Sequence, residues 1–202
     1  MTDAPPSTAP LASRFELVTI VASAGGIKAL GELLPQLPVD FAVALIVVMH
    51  LNPNTASLLP QILNRMTALK VKDAEAGEKI EATTIYTAPP DHHLLVTGDR
   101  RLRLTQTQKV NFTRPAADCT LISVAKCFGH QAIAVVLTGY GHDGALGVRA
   151  IKQHGGRVIA QDPATASVAN MPQAAIATGA VDWVLPLEQI PPALAKLVQR
   201  RG

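Results

Sequence analysis

The chain has 202 residues, 48% hydrophobic and 16% charged, which suits one soluble domain around a single buried core and argues against a disordered chain. The formal charge of +3 comes with no Lys/Arg block, and the sparse group Arg100, Arg101 and Arg103 has no interleaved aromatics, so it reads as a solvated hairpin and not as a nucleic-acid face. Aromatics are only 3%, so the core must be built from Val, Ile, Leu and Ala, the usage of parallel strands covered by helices.

No apolar stretch reaches membrane-spanning length. The opening MTDAPPSTAPLAS has no basic segment followed by an apolar one, so it is not a secretion signal, and a cytoplasmic protein is expected. Its Pro, Ser, Thr and Ala content marks residues 1–13 as a flexible tail, with one domain over 14–202. Cys119 and Cys127 lie eight apart in one helical segment, too far to close a disulfide, and no Cys/His array suggests a metal.

From Phe15 onward strand-like and helix-like runs alternate. FELVTIVA is a β-branched run, and GGIKALGELLPQL carries helical spacing at Ile27, Leu30 and Leu34. FAVALIVVMH is a continuous apolar strand, and NTASLLPQILNRM predicts a helix starting near Asn54 or Thr55 with Pro60 early in it. From about Val71 to Thr105 short alternating runs, with TGDR as a turn, predict an antiparallel excursion attached to the main sheet. The rhythm then returns: a helix over PAADCTLISVAKCFG ending at Gly129, the strand QAIAVVLTG, a helix from HDGALG, the strand RVIAQ, a short helix, the strand AVDWVLP and a closing helix. The sum is an α/β domain with a mostly parallel sheet flanked by helices.

Ligands of such folds bind at the carboxyl ends of strands. Three of those ends deliver Ser23, His50 and Asp143. A serine hydroxyl needs an imidazole to take its proton, and the imidazole needs a partner on its other nitrogen. The turn Ala24-Gly25-Gly26 would supply unpaired N–H groups for an oxyanion. Taken singly, Ser23 reads first as a helix cap, His50 at least as well as a satisfied strand-end histidine, and Asp143 first as a turn or cap residue; it is their coincidence at one sheet edge that raises the catalytic reading. The chain order Ser, His, Asp, and Val21 where G-x-S-x-G needs glycine, exclude the usual nucleophile elbow. The dinucleotide and P-loop glycine patterns are absent, and His92 and His93 are strand neighbours that point to opposite faces.

In order, ASAGG, VVMHLNP, IYTAPPDHHLLV, RPAADCTLISVAKCFG, AVVLTGYGHDGALGVRAIKQHGG, VIAQDPATASVANMPQAAIATG and VDWVLPLEQI resemble the catalytic domain of CheB-type protein-glutamate methylesterases of bacterial chemosensory systems. The resemblance runs from about residue 15 to 195. It implies a catalytic domain over 14–202, a nucleophile at Ser23, a histidine at His50 and an aspartate at Asp143. It further implies oxyanion donors at Ala24 and near Tyr140, and no cofactor or metal. The implied substrates are glutamate γ-methyl esters, and certain glutamines, on cytoplasmic helices of chemoreceptors. The same fold acting on another protein or a small ester, or serving as a non-catalytic signalling module, stands as the alternative. The sequence departs from the family at Val21, at Ala24 (often Thr) and at His142 (usually Asn), and carries no receiver domain. That last departure leads us to expect an excised domain, or control by a separate regulatory protein.

Overall fold

The computed structural model describes residues 15–50 and 57–199. Seven parallel strands form one sheet in the order β3-β4-β2-β1-β7-β8-β9. They span Leu17–Ala22 (β1), Ala44–Met49 (β2), Lys70–Asp73 (β3), Thr84–Thr87 (β4), Ala132–Val136 (β7), Arg157–Gln161 (β8) and Trp183–Leu185 (β9). A separate antiparallel pair joins His93–Val96 (β5) to Leu102–Thr105 (β6). The helices are Gly26–Leu33 (α1), Leu59–Asn64 (α2), Ala117–Phe128 (α3), Ala145–Gln153 (α4), Asn170–Ala177 (α5) and Ile190–Val198 (α6).

The two faces of the sheet explain the apolar runs. Along β1, Val18 and Ile20 point into a core closed by Leu30, Leu33, Ile190 and Leu194 of α1 and α6. Leu17 and Val21 point the other way, into a core closed by Leu121 and Val124 of α3, Val148 and Ile151 of α4, and Met171 of α5. Every residue of β1, β2 and β7 is buried, as strands covered on both faces require. Among the described residues no helix is long and apolar enough to cross a membrane.

The excursion expected over Val71–Thr105 is smaller than the sequence suggests. β3 and β4 join the main sheet in parallel, and only β5 and β6 pair antiparallel. The polar residues Thr84, Tyr86 and Thr87 of β4 are buried with their hydroxyls hydrogen-bonded. Thr87 Oγ1 donates to Asp73 Oδ1 at 2.6 Å, and Tyr86 OH accepts from the Glu81 N–H at 3.0 Å. Alternation therefore misleads where hydroxyls find partners.

Three further points concern helix ends and single side chains. Ile27 is exposed, and the buried stripe of α1 runs through Gly26, Ala29, Leu30 and Leu33. The expected start of the second helix at Asn54 or Thr55 lies outside the described residues, and α2 itself begins at Leu59 with Pro60 in its first turn. Arg100 is not merely solvated: it pairs with Glu16, donates to Gln131 Oε1 and lies 4.9 Å over the Phe128 ring. The hairpin is thus tied down at its tip.

Candidate active site

β1 is central, with β2 on one side and β7 on the other, so successive connections leave it in opposite directions. That reversal opens a crevice at the carboxyl edge of the sheet. The register sets Ala22 beside Met49 and Val21 beside Val136. One residue further on, the His50 N–H donates to Ala22 O at 3.4 Å and the Ser23 N–H to Thr138 O at 3.0 Å. Ser23, His50 and the segment 138–143 therefore emerge side by side.

Ser23 does not cap α1. The N-cap is Gly25, left-handed at φ 79°, and Ser23 contributes its carbonyl to a turn closed by the Gly26 N–H at 2.8 Å. Close approach shapes this turn. A Cβ on Gly26 would lie 2.8 Å from Ala22 Cβ, and one on Gly25 2.9 Å from Ser167 Cβ. Gly139 presses on it from below, where a Cβ would lie 2.8 Å from Ser23 Cβ and overlap Met171 Sδ. Thr138 Oγ1 lies 2.9 Å from Ala24 O and accepts from the Val168 N–H at 2.8 Å, and Gln161 Oε1 accepts from the Thr138 N–H. The Gly139 N–H is spent on Val168 O, and among the described residues nothing accepts from the N–H groups of Ala24 or Tyr140.

On the other side, His50 Nε2 lies 2.7 Å from Asp143 Oδ2, with His50 16% exposed and Asp143 3%. Burial pushes the Asp143 carboxyl up, but hydrogen bonds from His50, the Asp118 and Ala117 N–H groups and Asn111 outweigh it and hold the carboxyl below the ordinary range. An ionised carboxylate only accepts, so Nε2 carries the proton and Nδ1 is the nitrogen with a free lone pair. No hydrogen bond joins the Ser23 hydroxyl to the imidazole. Such contacts are often loose until substrate is bound.

Asp143 also caps a helix, though not its own. Its Oδ2 accepts from the Ala117 N–H at 2.6 Å and its Oδ1 from the Asp118 N–H at 3.0 Å, the free amides at the start of α3. Asp118 returns the favour to α4, its Oδ1 accepting from Gly144 and Gly147 at 3.0 and 2.8 Å. α3 and α4 pack closely enough that a Cβ on Gly147 would lie 2.5 Å from Leu121 Cβ. Asn111 completes the cluster. Sequence reasoning missed Asn111, Asp118 and Thr138; only Asp118 left a signal, as an acidic residue in the first turn of a helix.

Departures from the family have modest consequences for this geometry. Val21 is fully buried against α4, with a methyl 3.6 Å from where a Gly144 Cβ would stand, so it packs beneath the site. His142 is exposed, and its side chain makes no hydrogen bond among the described residues. Cys119, half-buried on α3, has its thiol pushed up to about 11 by burial and, less, by Asp143 and Asp118, so it stays protonated near neutrality.

The family model for the CheB methylesterase matches residues 18–194. The chain belongs to that family. A solved CheB methylesterase catalytic domain from Thermotoga maritima superposes with a TM-score of 0.87 at 38% identity, covering 91% of this chain and 99% of that one. The protein-glutamate methylesterase/protein-glutamine glutaminase of Pyrococcus horikoshii is 40% identical over 185 residues, 90% of this chain but 50% of that protein. A relative from Leptospira interrogans is 37% identical over 92% of this chain and 96% of its own length. CheB-type relatives thus include proteins of about this length and of about twice it.

Proposed function

We propose that this CheB-family chain is a serine hydrolase that removes methyl groups from glutamate γ-methyl esters on cytoplasmic helices of bacterial chemoreceptors, with Ser23, His50 and Asp143 as its triad. The observation that carries the reading is the His50–Asp143 hydrogen bond, formed where the chain leaves β2 and β7 on either side of Ser23. With Nε2 engaged by Asp143, Nδ1 is the nitrogen left to serve the serine, the reverse of the nitrogen usage in the serine-protease triad.

In this mechanism Ser23 Oγ attacks the ester carbonyl as its proton passes to His50 Nδ1. Asp143 holds the ring through Nε2–H and stabilises the imidazolium. The oxyanion is met by the N–H groups of Ala24 and Tyr140, neither of which has an acceptor among the described residues. His50 protonates the departing methanol, and the relay then runs in reverse with water to release the glutamate and free Ser23. The same acyl-enzyme forms from a glutamine with ammonia leaving, which fits the double name of the Pyrococcus relative.

The test is methanol release from a methylated receptor fragment. Wild-type protein releases methanol and Ser23→Ala does not; full release by that variant overturns the assignment. Turnover of simple esters with none on receptor helices would keep the triad and replace the substrate.

A further inference from the structure

Asn111 stands at the point where the two buried carboxylates meet. Its Nδ2 lies 2.9 Å from Asp143 Oδ1 and 2.9 Å from Asp118 Oδ2. An amide nitrogen has two hydrogens, so one goes to each carboxylate and the opposite flip would set an oxygen against two anions. Asn111 reaches this place on a two-residue turn between Val110 and Thr113, which exchange hydrogen bonds of 3.2 and 2.9 Å. Both turn residues are left-handed, Asn111 at φ 52° and Phe112 at φ 62°. Asparagine tolerates that conformation, whereas a bulky residue does so only under strain, and Phe112 recovers nothing by burial at 96% exposed. The turn is held against its local preference with its amide aimed at the aspartates.

From this geometry we infer that Asn111, together with Asp118, is a positioning residue for the triad: the amide clamped between the carboxylates fixes the rotation of Asp143 that offers Oδ2 to His50. The inference rests on the catalytic reading of Asp143. Without the amide, Asp143 Oδ1 keeps only the Asp118 N–H, and two buried anions face each other with no donor between them. The groups facing Asp143 are His50 from the end of β2, the Ala117 and Asp118 amides, the Asp118 carboxylate and Cys119 from α3, and Thr113 Oγ1 at 3.5 Å from the turn.

The test is Asn111→Gly, which keeps the left-handed backbone and removes the amide. On methyl-ester substrate kcat falls by roughly 10- to 100-fold with KM unchanged, because the amide touches no substrate. The acid limb of kcat/KM moves to higher pH, since a carboxylate with fewer donors is more basic. Asn111→Asp, which adds a third carboxylate, loses more. The second readout needs no activity: the downfield proton resonance of the His50–Asp143 hydrogen bond shifts or vanishes in Asn111→Gly. Should that variant fail to fold, Asp118→Asn carries the test, because its Oδ1 can still accept from Gly144 and Gly147, and it too must shift the resonance. A folded variant with wild-type kcat, pH profile and resonance overturns the inference. If Ser23→Ala retains wild-type methanol release, the catalytic reading falls, while the resonance still decides whether Asn111 orients the pair.

Discussion

Around Ser23 the backbone is held by contacts that only glycine permits, at Gly25, Gly26 and Gly139, and the strand below carries one buried hydroxyl, Thr19 Oγ1, with no partner. Around Asp143 the arrangement is opposite. Two carboxylates, 3% and 2% exposed, are satisfied by four backbone amides, one side-chain amide, one threonine hydroxyl and one imidazole. The nucleophile side is shaped by close packing and the aspartate side by charge-assisted hydrogen bonds. Close packing admits a substrate to bare backbone, whereas the hydrogen-bonded cluster keeps a buried charge in one orientation.

The largest expected effect comes from breaking the charged side. Asp143→Asn keeps the shape but presents an amide to His50 and favours the wrong tautomer, so kcat should fall by roughly 10⁴-fold in steady-state assays. On the packed side, Gly139→Ala should lower stability by about 1–3 kcal/mol in denaturant titrations and also abolish activity. Adding Met171→Ala should relieve only the overlap with the Met171 sulfur and restore no activity, because the new methyl still stands against Ser23 Cβ.

Acid titration separates the two carboxylates. Asp143 is held below the ordinary carboxylate value of about 3.9, so its contribution to stability is present above that value and lost as pH falls through the depressed one. Asp118 is raised, by burial first and by Asp143 in part, so its contribution is present below the ordinary value and lost as pH rises through the raised one. Urea midpoints measured down the pH scale should therefore fall less steeply in Asp143→Asn than in wild type, and more steeply in Asp118→Asn. The smallest effect is expected at Thr19. Replacing it with Val removes an unpaired buried hydroxyl at constant shape and should stabilise by about 1 kcal/mol without changing kcat.

Much of this was legible in the chain. The apolar runs of β1, β2 and β7 announced strands buried on both faces, and the rule of strand ends then picked Ser23, His50 and Asp143. Gly129, expected to end a helix, does so at φ 52°. The middle was less legible because its short alternating runs suit antiparallel pairing, whereas β3 and β4 pair in parallel and Thr84, Tyr86 and Thr87 are buried with hydrogen-bond partners. Asn111 left no trace in spacing, since its partners lie 7 and 32 residues away and its role exists only once α3 and α4 are packed. Local rules also misplaced the caps: Asp143 serves the helix before it, and Ser23 serves none.

The central claim is that Ser23 is a nucleophile activated by the His50–Asp143 pair. A serine-directed fluorophosphonate, with the modified peptide mapped by mass spectrometry, tests it most directly. The account predicts a single adduct on Ser23 in wild-type protein, formed far more slowly in His50→Gln and Asp143→Asn. Folded wild-type protein that takes no label, or labels Ser23 equally fast without His50, would contradict it.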